Sequence, residues 1–358
     1  MMKKWIPNFI VAAVSLSLTL LVVEVCLRIA LFSNISAFDF LKVPRLYADY
    51  ERDSTEHLYR EDYWKMRSTF YEVNDLAQPH PLLGWIGNFH PETYEHADEF
   101  FSKGKRPVLL FGDSFTQCID TSSCFEDFLN NDTAFSNHFY LLNYGVGGYG
   151  IDQIHLLMEQ AVSRYENPIV IFGMLTTDMD RSMLSFRDAP KPYFSLEHDE
   201  LRLNGVPVNL KSSEYIEQNP IEIESYVFTL IRNSWNWLLK TKASESSKNA
   251  VIQLNDAIIR NQVDLLREAE IEPMMLLFQP INQPENEWRC SALLNLFKEL
   301  NLEVIDTKSV LSAHLESNEG TEGDYYIPED LHPNSKYNQL IAAEIKKRVE
   351  ARALLLQE

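Results

Sequence analysis

Val108-Leu109-Leu110-Phe111-Gly112-Asp113-Ser114-Phe115-Thr116 decides how this chain is read. Four large apolar residues without polar alternation predict a strand buried on both faces, the kind that parallel sheets use. The residues after it leave Ser114 where the strand ends and turns, and open α/β sheets gather their chemistry at such carboxyl ends. Downstream the same rhythm repeats. A helix from Cys124 precedes a strand over 140–143, and a helix over 150–165 precedes a strand over 169–172. Next come a helix over 247–269 with a stripe of Val251, Leu254, Ile258, Leu265 and Ala269, a strand over 273–278, a helix over 293–300 and a short strand over 302–305. Alternation of this kind predicts a parallel sheet with helices on both faces.

A second motif near the end of the chain matches the first in chemistry. Ile327-Pro328-Glu329-Asp330-Leu331-His332-Pro333-Asn334 precedes a terminal helix carrying Leu340, Ile341 and Ile345, with Asn334 or Ser335 as its cap. A serine hydroxyl is a weak nucleophile until an imidazole takes its proton, and a carboxylate must hold that imidazole in the right tautomer. Ser114, His332 and Asp330 supply those three groups. Glu329 is the rival acid, at the spacing acid-x-x-His, and the sequence leaves the choice open. Each motif alone has a plainer reading: Ser114 as a helix cap, the Asp-Leu-His-Pro-Asn stretch as a polar loop, and the later glycines as a tight turn.

Taken together and in this order, the motifs over residues 105–356 resemble those of the SGNH (GDSL-type) hydrolase superfamily. The resemblance implies a flavodoxin-like three-layer α/β/α fold with a five-stranded parallel sheet. It assigns Gly112-Asp113-Ser114 to the nucleophile block. Asn143-Tyr144-Gly145-Val146-Gly147-Gly148-Tyr149-Gly150 is then similar to the second block, with the Gly148 N–H joining that of Ser114 in an oxyanion hole. The third block departs from the pattern: in Met174-Leu175-Thr176-Thr177-Asp178, Thr177 falls where the family has an asparagine donor. A threonine hydroxyl can donate one hydrogen bond but reaches less far, and losing such a donor costs roughly 10²–10³ in rate. Among activities the resemblance implies a serine esterase acting on an O-acyl ester. An O-acyltransferase with a separate membrane acyl donor, and a lapsed glycan-binding domain that Thr177 would favour, are the alternatives. No cofactor is implied, and the scattered histidines suggest no metal site.

Composition narrows the rest. With 52 Asp and Glu against 32 Lys and Arg, the net charge of -20 argues against a nucleic-acid partner. At the amino terminus, lysines at positions 3 and 4 precede an apolar run from Phe9 to Phe32, long enough to span a bilayer. The lysines favour a cytoplasmic amino terminus, so the bulk of the chain is expected outside the cytoplasm. Glu24 and Arg28 interrupt the run at pairing distance on one helix face. A cleaved signal peptide is the competing reading, but the run is longer than a usual signal core and no Ala-x-Ala-like site follows it. Outside the cytoplasm Cys118 and Cys124 can form a disulfide, and two reduced thiols fit the sequence equally well.

The expected organisation is an anchor over 1–32, a membrane-proximal extension over 33–104 with a helix over 57–70, and the hydrolase-like domain over 105–358. An insertion over 181–246 interrupts that domain. It contains Lys191-Pro192-Tyr193-Phe194 and the alternating Glu200-Leu201-Arg202-Leu203 before Asn204-Gly205, which reads as a small hairpin. Leaving the sheet close to Thr177, it is expected to shape access to the site. Arg181, Arg187, Lys191 and Tyr193, with Asp113 and Asp178 near the motifs, are the candidate substrate contacts, for an anionic or sugar substrate; ordinary packing residues are the alternative.

Overall fold

The computed structural model describes residues 5–48, 57–71, 78–86, 104–119, 122–198, 200–239, 245–280, 287–328 and 330–355. Five strands form the central sheet: β1 (Arg106–Gly112), β2 (Phe139–Gly145), β3 (Ile169–Leu175), β4 (Met274–Phe278) and β5 (Glu303–Asp306). The longer helices are α1 (Trp5–Phe32), α2 (His57–Tyr71), α3 (Ile151–Val162), α4 (Tyr226–Leu239), α5 (Glu245–Glu268), α6 (Glu287–Glu299), α7 (Thr307–Ser317) and α8 (Ser335–Leu355).

The strands are parallel and lie in the order β2-β1-β3-β4-β5. This is the flavodoxin-like doubly wound order, whose direction reverses between β1 and β3 and opens a crevice at their carboxyl ends. Val108, Leu109, Leu110 and Phe111 are fully buried, as an unalternating apolar strand demands. Side chains on a strand point alternately to the two faces. Val108 and Leu110 join Ile171, Leu276 and Ile305 in a core that includes Ile341 and Ile345 of α8, while α3 also packs on β1. Each such side chain contributes about 1.5–3 kcal/mol on burial.

Two sequence expectations shift in detail. The α5 stripe holds at Val251, Leu254 and Ile258 but continues through Val263 and Leu266, leaving Ala269 exposed, because the 3.6-residue period carries the buried face past Leu265. The hairpin pairs Tyr193–Glu197 with Glu200–Asn204, so its turn begins at His198, at φ +53°, and Asn204-Gly205 lies at its exit.

The chain separates into two compact units. Unit 1 comprises Met1–Leu76, Leu184–Pro190 and Leu210–Lys248; unit 2 comprises Ala77–Met183, Lys191–Asn209 and Asn249–Glu358. This division cuts across the one read from sequence. Part of the membrane-proximal stretch and most of the 181–246 insertion belong to unit 1, where Leu31, Tyr47, Met66, Ile223 and Tyr226 share one buried cluster. The 193–204 hairpin belongs to unit 2. In unit 1, Phe9–Phe32 of α1 is long and apolar enough to cross a membrane.

Candidate active site

β1 delivers Ser114 to the edge of the crevice through a turn that only glycine permits at its first position. A Cβ on Gly112 would meet the Gly173 carbonyl oxygen at 2.6 Å and the Thr116 side chain closer still. Asp113 follows as a helix cap, its carboxylate accepting from the Phe115 N–H at 2.9 Å. Its carbonyl accepts from Thr116 and Gln117 at 3.2 and 2.8 Å, closing the helical turn Ser114–Gln117. Ser114 is the first residue of that turn, so its own N–H has no intrahelical acceptor.

The histidine arrives on a loop curled tightly by backbone bonds. Ile327 donates to the His332 carbonyl at 2.9 Å, Leu331 donates to the Ile327 carbonyl at 2.8 Å, and Tyr326 pairs with Pro333. Leu331 takes φ +63°, uncommon for a residue with a Cβ and therefore held by its surroundings. Beyond it, the Asn334 side chain accepts from Lys336 at 3.0 Å and donates to the Asp324 carbonyl at 2.9 Å, capping α8. The curl brings the Asp330 carboxylate onto His332 Nδ1. On the other side of the ring, His332 Nε2 lies 2.9 Å from Ser114 Oγ. The imidazole rests on Phe115, with ring centroids 4.9 Å apart. An acid, an imidazole and a hydroxyl thus form one chain of hydrogen bonds, able to pass a proton from serine to histidine. Glu329 lies outside the described residues.

The glycine loop after β2 packs against the serine turn. A Cβ on Gly145 would collide with the Gln117 backbone, and one on Gly147 would stand 3.9 Å from Ser114 Cβ. The Gly147 N–H donates to Gln117 Oε1 at 2.7 Å, and Gly148 turns the chain at φ +85°. Trp85 braces this loop from outside: its indole N–H donates to the Gly147 carbonyl at 3.1 Å, while its own carbonyl accepts from the Tyr149 hydroxyl. Gln117 and Trp85 escaped the sequence reading, since neither belongs to a catalytic residue pattern. Thr177 stands half-buried after β3, at the start of the helical turn Asp178–Arg181, and its carbonyl accepts from Asp180 at 3.1 Å.

The candidate substrate contacts have partners within the chain. Asp113 and Asp178 are fully buried, and both hold Arg181, at 2.9 and 2.6 Å from its Nη1, which also donates to the Tyr149 carbonyl at 3.1 Å. Burial pulls the Arg181 pKa down, but Asp178 and Asp113 outweigh it and hold the guanidinium charged. These three residues tie the nucleophile turn, the glycine loop and the end of β3 together, and so belong to the frame. Lys191 is buried, with its ammonium on Asp152 and on the Pro192 carbonyl at 2.9 Å. Burial pushes the Asp152 carboxyl up, against the pull of Lys191. Arg187 is spent within unit 1, its guanidinium 4.6 Å from the centre of the Trp64 ring. Tyr193 starts the hairpin and packs beside Gly205. Cys118 and Cys124 are joined by a disulfide, which restrains the loop leaving Ser114.

The sequence matches no family model and no curated protein. Similar solved structures include a protein assigned to the G-D-S-L lipolytic family from Desulfitobacterium hafniense DCB-2, at 14% identity and TM-score 0.40, covering 68% of this chain and 99% of that one. An acetylxylan esterase catalytic mutant from Geobacillus stearothermophilus is similar at 11% identity and TM-score 0.39, over 68% of this chain and 93% of that one. A psychrotrophic esterase from a Pseudoalteromonas species is similar at 11% identity and TM-score 0.39, over 70% of this chain and 99% of that one.

Proposed function

We propose that this chain is an SGNH-type serine esterase, anchored by α1, that cleaves an O-acyl ester outside the cytoplasm. The observation that carries the reading is the pair of hydrogen bonds on one imidazole, Asp330 at Nδ1 and Ser114 Oγ 2.9 Å from Nε2. His332 takes the hydroxyl proton as Ser114 Oγ attacks the ester carbonyl, and Asp330 steadies the imidazolium. The Ser114 and Gly148 N–H groups, with the Thr177 hydroxyl, receive the oxyanion. Collapse of the tetrahedral intermediate expels the alcohol, which leaves with the proton from His332. Water, deprotonated by the same histidine, then attacks the acyl-Ser114 carbonyl and releases the acid.

The extracytoplasmic side is supported by the two lysines before the apolar run and by the Cys118–Cys124 disulfide, a bond that oxidising compartments favour. That location brings an acylated envelope glycan within reach as the substrate class, O-acetylated sugars included.

Labelling of the full chain in detergent with a fluorophosphonate probe tests the proposal. Wild type is expected to label, and Ser114→Ala and His332→Ala are expected not to. A folded wild type that stays unlabelled would remove the esterase reading and favour a lapsed binding domain.

A further inference from the structure

We propose that α4 is an interfacial membrane helix whose outward apolar face lies in the lipid of the leaflet through which α1 emerges. The inference rests on the reading of α1 as a membrane span. Every residue it uses belongs to unit 1.

The first observation is a misplaced face. Phe228, Ile231, Trp235 and Leu238 are 64%, 59%, 60% and 65% exposed. They stand at i, i+3, i+7 and i+10, one stripe of a helix. On the inner side Tyr226 is buried and Leu230 packs against the same cluster. A helix apolar on both sides needs an apolar medium on the side that the protein leaves open.

The second observation identifies that medium. The start of α4 is fastened to α1 at Glu24: the Tyr226 and Val227 N–H groups donate to its carboxylate at 3.1 and 2.9 Å, and the Ser225 hydroxyl donates at 3.0 Å. Arg28 completes the cluster, donating to Glu24 at 2.7 Å and to the Glu224 carbonyl at 2.7 Å, with its guanidinium 4.9 Å from the centre of the Tyr226 ring. The two charges that interrupt the apolar run are therefore matched by the cap of α4, as polar groups at membrane depth must be. Glu24 stands eight residues before the end of α1, about 12 Å along the helix axis. The apolar run exceeds a ~30 Å hydrocarbon core by only a few ångströms. The start of α4 thus falls within the outer part of one leaflet, at about the 5–10 Å depth that interfacial helices occupy. Val25, Ile29 and Phe32 of α1 are exposed on the same stretch, as are Phe40 and Leu46 just beyond it. Lipid that covers α1 at this level meets the open face of α4 without interruption.

The test uses the full chain in liposomes of phosphatidylethanolamine and phosphatidylglycerol, with Cys26→Ala and Cys290→Ala removing the free thiols. Nitroxides are placed singly through Phe228→Cys, Ile231→Cys, Trp235→Cys and Leu238→Cys, with Leu18→Cys reporting on α1. Collision with oxygen, which concentrates in lipid, is expected to dominate over collision with a water-soluble nickel chelate at all five positions. Nickel dominance on α4 with oxygen dominance at Leu18 would put the α4 face in water and overturn the inference alone. Exclusion of both reagents from α4 would mean a protein covers it, which also overturns the inference. Nickel dominance at Leu18 would remove the membrane reading of α1, and the inference with it.

Discussion

Asp113 and Ser114 are neighbours in sequence, yet they feed two polar networks of opposite character. Asp113 enters a closed one: its side chain and that of Asp178 are 0% exposed, with Arg181 between them at 15%. Ser114 enters an open one, where the side chains of His332 and Asp330 are 21% and 47% exposed. The closed network spends its charges on one another and on the helix cap, and can only hold a shape. The open network ends on a hydroxyl at the crevice and has a proton to move. Polar residue type near a motif therefore says little about role, whereas burial and the state of the last hydrogen bond say a great deal.

The comparison is broken most severely at its open end. Ser114→Ala and His332→Ala are expected to lower hydrolysis of a small activated ester by roughly 10⁴-fold or more. Both substitutions are expected to leave the urea midpoint close to wild type, because neither side chain is deeply buried. A mutant that hydrolyses the ester at the wild-type rate would place the chemistry elsewhere. The closed end predicts the reverse ranking. Arg181→Met leaves Asp113 and Asp178 buried without their cation, a loss of about 3–5 kcal/mol. Urea unfolding is the measurement, and a midpoint unchanged from wild type would show that the buried carboxylates do not depend on Arg181.

Much of this fold was legible in the sequence because parallel strands write themselves as unbroken apolar runs. Val108–Phe111 is the clearest case: its burial on both faces and its place inside the sheet, away from the edges, follow from composition alone. The residues that meet at the crevice were legible too, since short motifs at strand ends carry their own spacing. What stayed hidden depends on contacts between residues far apart in the chain. Arg181 looked available for a substrate because Asp113, which joins Asp178 in holding it, lies 68 residues away in the chain. The membrane-proximal stretch gave no sign that residues 210–248 join it in one unit, for no local pattern marks such pairing. Trp85 belongs to no catalytic motif, although it braces the glycine loop from 62 residues away.

A second pair of residues sharpens the same contrast through pH. His332 is open and paired with Asp330, whereas His155 is buried on α3 beside Phe194, with its ring centroid 5.6 Å from that of Phe194. Burial pulls the His155 pKa from 6.5 down to about 4, against a hydrogen bond to Asn261 that raises it. Glu159 faces the ring at 3.9 Å. With the folded value lowered, the unfolded chain binds more protons at His155 between the two values. Stability from this residue is full above about pH 6.5, falls as pH drops toward about 4, and changes no further below. The total is at most about 3 kcal/mol. Melting temperatures measured across this window are expected to fall less steeply in His155→Gln than in wild type. Parallel curves would mean that His155 accepts a proton in the folded state as easily as in the unfolded one.

The smallest effect tests whether the frame is felt by the open site at all. Trp85→Phe keeps the ring against Tyr149, whose centroid lies 5.6 Å away, and removes only the N–H that holds the Gly147 carbonyl. One neutral hydrogen bond contributes about 1 kcal/mol, so the expected loss of stability is small. The same loop also takes the Arg181 hydrogen bond at the Tyr149 carbonyl and carries Gly148, so loosening Gly147 acts on a segment that both networks share. If Gly148 receives the oxyanion, the lost bond appears in the transition state more than in substrate binding, and kcat falls by up to about tenfold while KM holds. A change in KM alone would make Trp85 a wall of the crevice and leave the glycine loop independent of its brace.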